Sequence, residues 1–113
     1  MSRLEERSLD VAPLFAALGD PTRSRIVDRL AREGRLTLSD LARDATISRQ
    51  AVSRHVGVLI DAGLVMTRKQ GREVHLSVCP EALAPAADWL AKLGAAWDDA
   101  LDRLRQQMEE DSA

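Results

Sequence analysis

Apolar positions recur along this chain at two different periods, and the elements change where the period changes. Leu9, Leu14, Phe15 and Leu18 stand at near-helical spacing between Ser8 and Leu18, with Gly19 as a stop, and predict a first helix. Asp20-Pro21 reads as an N-cap followed by proline at the first helical position, where its missing N–H removes no intrahelical bond. Ile26, Val27 and Leu30 then share one face of a second helix that ends at Gly34. Thr37-Leu38-Ser39-Asp40 has the form of a capping box, so a third helix is expected from about Leu38 to Asp44. Ser48 can cap a fourth, on which Val52, Val56 and Leu59 form a stripe before a stop at Ala62-Gly63. From there apolar and polar residues alternate. Leu64, Met66, Val74, Leu76 and Val78 are expected on one face, Thr67, Lys69, His75 and Ser77 on the other, in a two-stranded hairpin turning at Gln70-Gly71.

Pro80 introduces a last helix, from about Glu81 to Glu109, with Leu83, Ala87, Leu90, Leu93, Trp97, Leu101, Leu104 and Met108 at steps of three, four or seven. Such a stripe is longer than the core of a small domain can cover. The helix is therefore expected to extend past its own domain and pack against a second copy, with Gly94, Ala95 and Ala96 permitting close approach. The fold class that emerges is mainly α with a small β-hairpin wing, in one domain over residues 1–113.

Helices three and four meet the needs of a helix-turn-helix: a small residue at the crossing, apolar residues on either side of the turn, and a second helix exposing polar side chains. Ala42 fits the crossing, and Leu41, Ala45, Ile47 and Val52 are expected to be buried. At roughly 100° per residue, the direction opposite the Val52 stripe holds Gln50, Ser53, Arg54, Gly57 and Asp61. Glutamine can bond adenine bidentately and arginine guanine, so Gln50, Ser53 and Arg54 are candidate base or phosphate contacts. Ser48 and Arg49, at the helix N-terminus, are candidates for phosphate oxygens. Arg68, Lys69 and Arg72 flank the hairpin tip, where they can follow the DNA backbone or enter the minor groove.

A net charge of −2 argues against nucleic acid only until its distribution is considered. Residues 49–72 carry Arg49, Arg54, Arg68, Lys69 and Arg72 against Asp61 alone, whereas the acids gather in the last helix. Screening over about 10 Å at ~0.1 M salt lets a local basic face act independently of a distant acidic one. Cys79 is the sole cysteine, so there is no internal disulfide and no cysteine cluster for zinc. Lacking a resolving partner, it reads as inert, with a redox-responsive regulator as the alternative. His55 falls toward the packed flank of helix four and reads as structural, while His75 is expected exposed on the hairpin. Trp89 and Trp97 read as packing residues near a subunit contact. No nucleophile, base and orienting group share a motif, so neither an enzyme nor a cofactor is expected. The first residues lack a signal-peptide run and no stretch nears the roughly 18 apolar residues of a membrane span, so a cytoplasmic location without a membrane partner is expected.

Taken together, Ala17-Leu18-Gly19-Asp20-Pro21-Thr22-Arg23, Leu41-Ala42, Ile47 to Val56, Leu59, Ala62-Gly63-Leu64-Val65 and Gly71-Arg72 resemble the ArsR family of bacterial winged-helix repressors. The resemblance implies a homodimer joined through the first and last helices, which brings Leu9, Leu14, Leu90, Leu93, Trp97, Leu101 and Leu104 to the subunit contact. It also implies a double-stranded, inverted-repeat DNA operator as partner and repression as the outcome. The family's metal-sensing cysteines on helix three fall here on Thr37, Ser39 and Ala42, and no histidine follows His75 on the last helix. A metal response is therefore not expected, and the small-molecule effector is left open. The alternative is a winged-helix module whose basic face contacts an acidic protein.

Overall fold

A computed structural model describes residues 3–112, with side chains from Val11 onward. Five helices, α1 (Arg3–Leu18), α2 (Pro21–Glu33), α3 (Leu38–Arg43), α4 (Arg49–Asp61) and α5 (Pro80–Asp111), accompany three strands, β1 (Leu36–Thr37), β2 (Val65–Gln70) and β3 (Glu73–Val78). The core is assembled from Leu14 and Ala17 of α1, Ile26 and Leu30 of α2, Leu41 of α3, and Val52, Val56 and Leu59 of α4. Leu64, Val65, Leu76 and Ala86 close it from the sheet side and from the first turns of α5.

Local chemistry sets the helix ends. The Asp20 carboxylate accepts from the backbone N–H groups of Thr22 and Arg23 at 2.8 and 3.1 Å, so Pro21 can open α2 without leaving an orphan donor. At the start of α3 the capping box is complete: Asp40 N–H donates to Thr37 Oγ1 at 3.1 Å, and Thr37 N–H to Asp40 Oδ2 at 2.9 Å. Helix α4 ends in a Schellman motif. Gly63 takes φ +80°, its N–H reaches Ile60 O at 2.9 Å, and Leu64 N–H reaches Leu59 O at 3.0 Å. The accompanying apolar contact pairs Leu59 with Leu64, neither of which has any exposed surface.

The sheet departs from the expected hairpin in two respects. A third strand, β1, pairs with β3 through Leu36↔Leu76 and Thr37↔His75, which puts β3 in the centre and leaves His75 half-buried instead of exposed. In addition, the two loop residues are Gly71 and Arg72, since Gln70 pairs with Glu73. Only Gly71 has positive φ (+65°), as a two-residue II′ turn requires at its first position. This placement pairs Val65 with Val78 and Met66 with Ser77. Because successive residues face opposite sides, Val65 turns to the core and Met66, expected inside, is 47% exposed.

The first half of α5 packs on the domain, where Trp89 meets Phe15 with ring centroids 5.5 Å apart. Ala86, not Ala87, is the buried alanine. Beyond Trp89 the helix leaves the body, and at about 1.5 Å per residue the 32 residues of α5 as a whole form a long rod. The radius of gyration is accordingly 19.2 Å, against roughly 13 Å for a compact chain of this size.

Candidate nucleic-acid interface

Helix α4 is built to present one face. Val52, Val56 and Leu59 anchor the other in the core, and Ser48 fixes the start by accepting from Ala51 N–H at 3.1 Å. The Ser48 hydroxyl hydrogen is not consumed by that bond, so the cap can still donate to an anion. Arg49, Gln50, Ser53 and Arg54 are all exposed on the free side of the first two turns. Arg68 and Lys69 on β2 and Arg72 in the loop are exposed as well. Among the described residues, none of these five cations lies within ion-pair distance of a carboxylate. Their charge is therefore directed to solvent or to a ligand.

Two arginines to which the sequence pattern assigned no structural role, Arg29 and Arg23, hold this face in place. Arg29 of α2 reaches the middle and the C-cap of α3, donating to Asp40 O at 3.4 Å and pairing with Asp44 Oδ2 at 3.3 Å, while its Nε bonds Glu33 at 2.7 Å. A helix of six residues has little stability of its own, so these ties fix its angle against α2. Arg23 donates to Ala17 O at 2.6 Å and stands 3.3 Å from Nδ1 of His55, which also lies 3.8 Å from Asp20. His55 is thus half-buried and tied to the α1–α2 junction. The Asp20 carboxyl is held below the ordinary carboxylate value, chiefly by the Arg23 N–H, and Asp40 likewise by the Thr37 N–H.

Other expectations need correction. Ile47, placed in the buried set of the turn, is 36% exposed, because the turn carries its side chain to the rim of a cleft and not beneath α4. Leu14, assigned to a subunit contact, is 5% exposed and belongs to the chain's own core, since α1 turns that side toward α2 and α4. Leu9 lies on α1, and its side chain falls outside the described residues. Leu90, Leu93, Trp97, Leu101 and Leu104 of α5 are 39–61% exposed and cover no part of the chain's core. Arg35 was also missed. It borders, with Arg68, Met66 and Ser77, a hollow of about 380 Å³ on the outer side of the sheet. Only the unforeseen strand β1 brings it there. Among the described residues no helix is long and apolar enough to cross a membrane.

Comparison with known proteins matches this architecture. A family model described as a helix-turn-helix domain aligns with residues 18–68. An uncharacterized HTH-type transcriptional regulator of Bacillus subtilis, YuzN, is 43% identical over 65 residues, covering 52% of this chain and 71% of the relative. The arsenical resistance operon repressor of Escherichia coli is 40% identical over 80 residues, covering 71% of this chain; the chain spans only 65% of that repressor's length. Among solved structures, an ArsR-like transcriptional regulator from Rhodococcus sp. RHA1 superposes with a TM-score of 0.71 at 37% identity, covering 87% of this chain and 92% of the other.

Proposed function

Since the chain belongs to the ArsR family of winged helix-turn-helix transcriptional regulators, we propose that it is a homodimeric repressor reading an inverted-repeat operator through Gln50, Ser53 and Arg54. The observation that carries this reading is the polar face of α4, whose cations are exposed and unpaired among the described residues while its opposite face is locked into the core. Arg54 and Gln50 have the donor geometry for base edges, with Arg49 and Ser48 on adjacent phosphates. Arg68, Lys69 and Arg72 extend the contact along the backbone and contribute affinity more than sequence choice. Pairing through the outward stripe of α5 would set two copies of α4 about 34–36 Å apart, one turn of the duplex.

Selection of bound fragments from a random DNA pool by the purified chain tests this directly. The expected product is an inverted repeat whose half-sites are centred one helical turn apart, bound with an affinity that falls steeply with salt. A purified dimer without salt-sensitive DNA affinity would overturn the reading and favour a protein-contacting module.

A further inference from the structure

Behind the reading face, α2, α3 and the turn between α3 and α4 enclose a cleft of about 190 Å³. Its floor is apolar, formed by Ile26, Leu41 and Val52, which are buried, and its rim includes Ile47 and the exposed Arg25. Three charges line it, and they are not balanced. Arg29 is held by Glu33 and Asp44, whereas Arg25 makes no ion pair or side-chain hydrogen bond among the described residues. Thr22 and Thr46 add hydroxyls at the same edge, and among the described residues neither hydroxyl has an intramolecular partner.

We propose that this cleft is a binding site for a small monocarboxylate with a compact apolar body, such as an aromatic or branched-chain acid. Its ring or branch would rest on Ile26, Leu41, Ile47 and Val52, and its carboxylate would face Arg25 and the hydroxyls. Each feature of the lining selects one part of that ligand. The volume is below the roughly 300–1,000 Å³ typical of drug-sized pockets and admits a body of about ten non-hydrogen atoms. The floor offers dispersion and desolvation, and the unpaired guanidinium favours an anion over an amide or an amine. Two walls of the cleft, Thr46 with Ile47 and Val52, belong to the turn and to α4 itself, so an occupant touches the element that bears the reading face.

The test is titration of the full chain, without DNA, with phenylacetate and 3-methylbutyrate, beside phenylacetamide and benzylamine as neutral and cationic counterparts. Methyl resonances of Ile26, Ile47 and Val52 and the thermal midpoint are the readouts. Saturable binding by the acids with a Kd up to about 1 mM is expected, as ligands of this size allow. The amide and the amine should bind roughly tenfold more weakly or worse, and Arg25→Gln should remove that preference without lowering the unliganded midpoint. Ile47→Thr, at the exposed rim, should weaken every probe alike. No saturation below about 10 mM, equal binding of acid and amide, or binding that survives Arg25→Gln unchanged would each overturn the proposal. Because DNA is absent from the assay, its failure is separate from a failure of operator reading.

Discussion

Ile47, Val58, Ile60, Met66 and Val74 reach the surface singly between Leu14 and Leu76, but the apolar stripes of the helices there turn inward: Leu30 and Val52 are 1% exposed, Leu59 and Leu64 not at all. From Leu90 to Met108 they turn outward, with Trp97 at 61% and Leu104 at 52%. Both sets of stripes are helical with regular apolar spacing, so periodicity does not distinguish them. What differs is whether the chain itself supplies the opposing surface. The body satisfies its stripes with its own elements, whereas the distal half of α5 holds a stripe that no part of the core covers among the described residues. An apolar face of that length is what the proposed pairing of two copies would cover.

Substitutions in the two regions should therefore have different consequences. Leu59→Ala, in the body, removes a side chain with no exposed surface and should lower the unfolding free energy by about 2–5 kcal/mol, read by denaturant titration. A loss below about 1 kcal/mol would mean that the two regions are less unlike than their exposures suggest. Leu101→Ser combined with Leu104→Ser, on the rod, should leave the body folded yet weaken self-association by roughly 100-fold, seen as a mass change in sedimentation equilibrium. An unchanged mass would place the dimer contact elsewhere.

Within the body, base-reading and backbone-following residues should separate. Arg54→Ala is expected to cost about 1–3 kcal/mol of operator binding and to relax preference at one position of the half-site. Arg72→Ala should weaken all sequences similarly and lower the slope of log K against log salt by about one unit per half-site. The smallest effect concerns the helix caps. Asp20 and Asp40 bind protons less readily in the folded chain than at the ordinary carboxyl value of 3.8. The stability they add is complete above that value and is lost as pH falls through their lowered ones. Thermal midpoints should thus decline as pH falls below about 4, and less so in Asp40→Asn, where one titrating cap is gone.

The elements legible in the chain were those whose causes are local. Asp20-Pro21, Thr37 with Asp40, Ser48 and Gly63 each act within five residues, and each ends or starts a helix at the expected place. The exposed polar face of α4 was likewise legible, because one helix and one stripe determine it. Strand β1 was not, since two residues carry no period and their partners lie about forty positions away. Nor was the orientation of Met66, which depends on where a two-residue loop falls and flips with a shift of one. The ties from Arg29 join residues eleven and fifteen positions apart, and nothing beside Arg29 in the chain announces them. Leu14 was assigned the wrong neighbour for the same reason: a stripe reveals that it will be covered, not by what.

One consequence follows from the independence of the rod. Past Trp89, which still meets Phe15, no described residue of α5 belongs to the hydrophobic core, so substitutions there are released from the constraint of folding. If copies pair through this segment as proposed, paralogues could drift along it until they no longer recognise one another, while keeping the same body intact. A genome holding several such regulators would then prevent mixed assemblies by changing a single helix.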